Sequence, residues 1–571
     1  LTNIATASQD RVSYNSGRLM VNTFNTYATY PNSFRGVHNV KVIAGVNAEN
    51  DENLGFFSTR QGLLDPTQGE LGLAYGTQTN GVSNINTPDG WSTNGHGKQA
   101  FAGYFGRINY DYKGKYLLEL NGRYDGSSSF SPLDRWAFFP SGSIGYRISQ
   151  ENFMDFSKKV ISDLKIRASY GTLGNQAVGG NYYLRTMNGA QASWLDNSGV
   201  YAQYITQPAA VANSLKWEKV SSTDIGLDAR LFDNHIGVSF DWYERNTDGM
   251  IQPTSVPSTF GTTGPRINAG NFRNRGYEIM LDANYNLGKD AMIYATLGFS
   301  DGKTVFTKWS NPNESIMTAF NYVGKTYGEI WGFETAGFFA DAADVTKSPS
   351  QAALQAGNFI YGPGDIKFKD LNGDGKIDGG KMTLGDHGDL KVIGNTQPRY
   401  QYNARIGGSW KNFDIDVFIQ GVGSRQYWAP GNIAIPLYQS LDIVYKNQLD
   451  YWLPNHTNAK YPSPYPNNQT GTIGGLLNGG NNFYPQSKYL LNLAYCRLKN
   501  LTVGYTLPGN LLARYSIQKF RIYLSAEDLG EISNVGAPID PELTDLGGLN
   551  SVGRTWPFMR SYSFGVQLSF Q

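Results

Sequence analysis

Residues 370–378 read Asp370-Leu-Asn372-Gly-Asp374-Gly375-Lys376-Ile377-Asp378. Oxygen side chains at alternate positions, a glycine at the sharp turn and an apolar residue two places on form the first part of a Ca2+-binding loop. A hard cation takes about six to eight oxygens, and alternate side chains on a tightly wound loop converge on one point. The Lys376 carbonyl adds a further ligand. The twelfth position of such a loop normally carries a bidentate acid, and here it is Lys381, a departure fatal to an ordinary loop of this kind. The competing reading is a polar turn whose Asn and Asp side chains cap their own backbone. In either case the site is a staple for a loop and not a catalytic centre.

A second group of residues suits sugar chemistry. Trp91, Trp194, Trp309, Trp331, Trp428 and Trp452 lie in long polar stretches, where an indole face can stack on the C–H face of a sugar ring. Trp194, Trp331, Trp428 and Trp452 are the candidate substrate contacts, although packing within a loop is the commoner fate of a single Trp. The chain has no nucleophile elbow, no Gly-rich phosphate loop before a helix and no paired-His motif. Cys496 is the only cysteine, so neither an intrachain disulfide nor a thiolate cluster is available. With 48 basic against 47 acidic residues, nothing points to a nucleic-acid partner. Catalysis is not expected.

The elements that would carry these residues are strands. Tyr116, Leu118, Leu120, Gly122 and Tyr124 alternate with Leu117, Glu119, Asn121 and Arg123; Phe413, Ile415, Val417 and Ile419 alternate with Asp414, Asp416, Phe418 and Gln420. The same period of two recurs at 164–170, 225–231 and 277–285, giving one apolar and one polar face. Several patterns run to about ten residues or more, the span of a tilted membrane strand, whereas soluble strands centre near 5–6. Glycine at 67 of 571 residues (about 12%) exceeds the usual ~7%, and there are 37 Tyr. No apolar run approaches the ~20 residues of a membrane helix. Short turns at Lys113-Gly114, Asp233-Asn234, Gly288-Lys289-Asp290 and Lys411-Asn412 alternate with long polar connections near 50–100, 172–213, 304–396, 425–489 and 529–558. Short turns on one side and long loops on the other are the habit of a bacterial membrane barrel. Tyr104, Tyr110, Tyr112, Tyr146, Trp242, Trp410 and Tyr505 suit its interfacial girdles. About fifteen strands on one up-and-down path are predicted, the last ending in Tyr562, Phe564, Val566, Leu568 and Phe570. A passive porin and a soluble β-sandwich array are the competing readings.

Several stretches, in order, resemble the SusC/RagA group of TonB-dependent transporters: YFGRINYDYKGKYLLELNGRYDGSSSF (104–130), LKIRASYGTLGNQ (164–176), LKWEKVSSTDIGLD (215–228), GDIKFKDLNGDGKIDGG (364–380), IGNTQPRYQYN (393–403) and YCRLKNLTVGYTLP (495–508). The resemblance implies an all-β fold, a transmembrane antiparallel β-barrel of the bacterial outer membrane, with residues 1–571 supplying about the last 15 of 22 strands. It also implies an upstream plug, a TonB box and about seven more strands. By strand parity, the first strand, near Gly17–Tyr30, descends to the periplasm, which assigns residues 1–16 to an extracellular loop, where nicking concentrates. The function implied is active import of oligosaccharides, or of oligopeptides, beneath a SusD-like surface lipoprotein, energised by a TonB complex. The resemblance admits a dimer of such pairs. In the family's terms, Asp389 just ahead of the VIGN segment takes the place of the closing acid, after an inserted GGKMTLGDHG. The Ca2+ ligands are then Asp370, Asn372, Asp374, Lys376 through its carbonyl, Asp378 and Asp389. The insertion is more like that of glycan importers.

Overall fold

The computed structural model describes residues 11–570 apart from 64, 66, 77, 83–95, 177–182, 186, 188, 196–198, 200, 209, 213, 255, 263, 318–319, 357–358, 430–433, 437–443, 465–480, 513–515, 537–538 and 543–557. Fifteen strands follow one another in chain order along one antiparallel sheet. They are β1 (Arg11–Phe34), β2 (His38–Gln61), β3 (His96–Tyr112), β4 (Tyr116–Ser127), β5 (Trp136–Arg147), β6 (Ile161–Asn175), β7 (Glu218–Leu231), β8 (Ile236–Pro253), β9 (Arg266–Leu287), β10 (Ala291–Lys308), β11 (Arg399–Trp410), β12 (Phe413–Ser424), β13 (Tyr495–Thr506), β14 (Ile517–Ser533) and β15 (Ser561–Phe570). This is the up-and-down path that the alternation predicts. No helix among the described residues is long and apolar enough to cross a membrane.

The turns form where expected. Lys113 and Gly114 (φ 56° and 68°) and Asp233 and Asn234 (φ 53° and 68°) supply the pairs of positive φ angles that a tight hairpin needs. Two boundaries differ from expectation. Residues 50–61 are strand, because β2 pairs with β1 over its whole length, from His38 against Phe34 to Gln61 against Arg11. For the same reason residues 11–16 belong to β1 and not to a loop. Each of these strands has 24 residues, about 80 Å at ~3.3 Å per residue, far longer than a ~30 Å hydrocarbon core requires. The excess continues the hairpin beyond the bilayer.

Alternation sorts the side chains into two faces. On β11 to β15 the apolar set includes Ile406, Trp410, Phe413, Ile415, Val503, Leu524, Phe564 and Phe570, and all are exposed. An exposed apolar band of this extent is stable only against lipid. On β4, eight residues separate Tyr116 from Tyr124, about 27 Å along the strand and roughly 20 Å in height at a ~40° tilt. Tyr116 lies beside Tyr112 (ring centroids 6.2 Å) and Tyr124 stacks on Trp136 (5.2 Å), so aromatic pairs mark both ends of the apolar stretch of this strand.

The polar face is laced by ion pairs between strands. Arg167 reaches Asp224 (3.1 Å), Asp228 (3.2 Å) and Asp241 (2.5 Å). Arg230 meets Asp282 (2.6 Å), Arg405 meets Asp416 (2.9 Å) and Arg521 meets Asp414 (2.5 Å). In water each such pair contributes little, roughly 0–1 kcal/mol. Glycine also has a positional meaning here. Tyr294 lies opposite Gly407, Tyr402 opposite Gly421 and Tyr523 opposite Gly565. A Cβ on any of the three glycines would come within 2.4 Å of the facing tyrosine side chain. The ring covers the bare backbone, and part of the glycine excess is explained.

The chain divides into two compact units. The unit made of residues up to Gly145, Ser169–Ser222 and Thr247–Ala269 has a small aromatic core of Phe130, Phe139 and Trp217, against which Phe101, Ala137 and Ile251 pack. The other unit, which includes Gly270 onward, holds a much larger core that lies in the connections between strands.

Candidate functional site: the loop assembly

Connections that leave β10, β12 and β14 fold together. Residues 309–398, 425–494 and 534–539 contribute to a single buried cluster that includes Phe333, Phe339, Ile366, Phe368, Phe483 and Leu493. Short antiparallel pairs brace it: Glu329–Phe333 with Leu390–Asn395, Thr335–Phe338 with Ile366–Phe368, and Gln426–Tyr427 with Leu491–Asn492. Burying an apolar side chain here contributes about 1.5–3 kcal/mol each, which opposes the entropy lost in ordering long loops.

Buried amides stitch the segments. Asn482 accepts from the Ile366 N–H (2.8 Å) and donates to Asp365 (2.7 Å). Gln351 accepts from the Phe368 N–H (2.7 Å) and donates to the Ile366 carbonyl (2.9 Å). Tyr361 donates to the Asn481 carbonyl (2.8 Å), and burial pushes its phenol well above the usual range. Sequence reading missed these residues. A run of Asn and Gln looks like surface until its distant partners are known.

Two lysines converge on one acid at the edge of this assembly. Lys369 and Lys391 both donate to Glu334 and hold its carboxyl down at about 2, against an ordinary 4.5. A depressed folded pKa means stabilisation present above pH 4.5 and lost as the pH falls toward 2. Acid titration with hydrogen exchange should therefore show residues 333–335 and 366–369 losing protection within that window. In Glu334→Gln the pH-dependent step should vanish.

The 370–389 loop is held by its own backbone. Asp370 accepts from the N–H groups of Gly373 (2.6 Å) and Gly375 (2.9 Å), Asn372 from Asp374 (2.9 Å), and Asp374 from Lys376 (2.8 Å). Asp378 accepts from Gly380 (2.8 Å). Asp389 is completely buried and closes the loop, accepting from Leu371 (2.7 Å) and Asp378 (3.0 Å). Ile377 is buried in the common core. The donor chemistry fits a hard cation, since each carboxylate keeps lone pairs beyond its backbone bonds. The packing as it stands turns these side chains onto amides, and among the described residues no three His, Cys, Asp or Glu groups converge as metal ligands. Replacing Asp389 by alanine strands two amides at about 1–3 kcal/mol apiece. Limited proteolysis of Asp389→Ala should cut within 370–389 under conditions where the parent protein resists.

The four candidate tryptophans are scattered. Trp194 is exposed on the Gly189–Leu195 strand, which pairs with Tyr201–Ile205. Trp331 and Trp428 pack against the loop core. Trp331 donates to Glu329 (3.0 Å). Trp452 is buried against Gly364, where an added Cβ would come within 2.3 Å of the indole. It therefore presents no open face for stacking. Trp309 packs edge-on against Phe306 (5.1 Å), and Trp91 lies outside the described residues.

Comparison with known proteins agrees with this architecture. The family profile "TonB dependent receptor-like, beta-barrel" matches residues 3–529. TonB-dependent receptor P3 of Formosa agariphila is 28% identical over 574 residues, covering 96% of this chain and 52% of the relative. TonB-dependent receptor SusC of Bacteroides thetaiotaomicron is 25% identical over 496 residues, covering 83% and 44%. Among solved structures, one described as the RagAB peptide transporter superposes with a TM-score of 0.73 at 21% identity, over 98% of this chain and 56% of that one. The chain thus spans about half the length of the curated relatives it matches. Strand order, two-faced alternation, exposed apolar band and profile match agree: the chain belongs to the TonB-dependent receptor β-barrel family of the bacterial outer membrane.

Proposed function

We propose that the chain forms barrel wall and extracellular rim of an active importer of oligosaccharides, working with a SusD-like surface lipoprotein and drawing energy from TonB through an N-terminal plug. The observation that carries this reading is the cored loop assembly. Loops that serve only to connect strands have no need of a shared hydrophobic core, whereas a rim that receives a partner and a cargo must hold its shape. The polar strand face, laced with ion pairs and amides, suits a hydrated path for a polar solute. Among the described candidate tryptophans, Trp194 is the exposed one, with a face free to stack on sugar. The runner-up is oligopeptide import, favoured by the fold match to the RagAB structure, whose description names peptide.

Uptake by cells producing the complete protein tests the reading. TonB-dependent accumulation of labelled oligosaccharide sustains it. Accumulation independent of TonB makes the barrel a passive channel, and uptake of labelled oligopeptide alone transfers the reading to peptides.

The 370–389 loop is proposed to take Ca2+ as a structural staple, through Asp370, Asn372, Asp374, Asp378, Asp389 and the Lys376 carbonyl. Its support is the donor set and the lone pairs left on each carboxylate. Millimolar Ca2+ should slow hydrogen exchange across 370–389 relative to EGTA. Identical exchange in both would mean that the backbone caps suffice alone.

A further inference from the structure

At the head of β8 to β11, where the polar face meets residues 326–327 and 395–398, lies a cavity of about 240 Å³. Tyr243, Asn274, Glu278, Gln401 and Tyr327 are among its lining residues. Its ionised groups cancel, Glu278 and Asp301 against Lys303 and Arg399. Asp301 and Arg399 are bound to each other through two bonds of 2.5 Å. A charged ligand therefore gains no net attraction.

What the cavity offers is unused hydrogen-bonding capacity. The Asn274 amide donates to Thr304 (3.0 Å), but its Oδ1 is buried without a partner. Leaving a buried acceptor unmet is unfavourable, so a donor from the cavity is expected to meet it. Among the described residues, neither the Glu278 carboxylate nor the Gln401 amide has a hydrogen-bond partner. Two tyrosines add aromatic surface. The volume falls below the ~300 Å³ at which drug-sized sites begin, so the space suits one small ring.

We propose that this cavity is a subsite for a single neutral sugar ring, its hydroxyls donating to Asn274 Oδ1 and Glu278 and accepting from Gln401. The assignment rests on the importer reading and adds the place where one unit of the cargo is held. A peptide unit is the competing ligand. It offers one N–H per residue where a sugar offers several adjacent hydroxyl donors, and the cavity presents acceptors.

The test uses the complete protein in detergent, with saturation-transfer NMR and glucose as the probe, alanyl-alanine as the competitor, and the variants Asn274→Ala and Gln401→Leu. Glucose should bind, and each variant should weaken it about tenfold, the equivalent of one lost hydrogen bond. Heat-modifiable gel mobility checks that both variants fold. Affinity unchanged in two folded variants overturns the subsite, as does binding of alanyl-alanine in place of glucose. If cells import oligosaccharide while glucose does not bind, the subsite falls and the importer reading stands. If glucose binds with the expected variant effects but cells import no oligosaccharide, the importer reading falls and the subsite stands.

Discussion

Replacing Arg399 by alanine is expected to destabilise the protein by about 2–4 kcal/mol, because it strands a buried carboxylate. Asp301 lies on β10 and is only 7% exposed. It receives Arg399 Nε and Nη2, each at 2.5 Å, and the Tyr400 N–H at 3.2 Å. Removing one partner of a fully buried ion pair costs about 3–5 kcal/mol. The Arg399 side chain is 29% exposed, so water replaces part of the loss and the expected effect is smaller. Arg399→Lys should recover only part, since an ammonium cannot make the two parallel bonds of the guanidinium. Denaturant unfolding of the detergent-solubilised protein measures the effect. If Arg399→Ala and the double variant Arg399→Ala/Asp301→Asn unfold at the same denaturant concentration, the stranded charge is not the cause.

Trp217→Ala should cost somewhat more, about 3–5 kcal/mol, by emptying a small core. The Trp217 indole stacks on Phe130 at 4.8 Å, meets Phe139 edge-on at 5.5 Å and donates to the Arg135 carbonyl at 2.9 Å. Among the described residues three form this buried cluster and three more pack against it, so little can collapse into the space left. The same packing explains Gly174. A Cβ there would come within 2.2 Å of Phe139 and 2.6 Å of Trp217. Gly174→Ala should thus reproduce much of the defect by overfilling the site instead of emptying it. Near-ultraviolet circular dichroism reads both. An unchanged aromatic signal in Trp217→Ala would show that this cluster does not order the site.

The loops show where local reading stops. The Asp370–Asp378 motif is legible because its bonds span two to five residues, and Asx turns are written in such spacings. Asp389 is tied to this motif by family resemblance alone, and in the structure it accepts the backbone N–H groups of Leu371 and Asp378 across 11 to 18 residues. The tryptophans carry no such local signal. Trp452 and Trp194 look alike in sequence, both set in polar stretches, yet one is buried against Gly364 and the other is exposed. The contacts that separate them come from distant chain segments.

The sequence by itself determined the strands, their two faces and the sites of the tight turns. Each depends on a period of two or on the backbone preference of two adjacent residues, and such local patterns survive without knowledge of the fold. Only the tertiary structure decided that three long connections share one core, that Asn482 holds Ile366 and Asp365 more than a hundred residues away, and that Arg399 closes on Asp301. The physical reason is that hydrophobic burial and ion pairing are non-local and largely indifferent to sequence separation. A polar loop sequence is compatible with many partners until the sheet brings a particular one within reach.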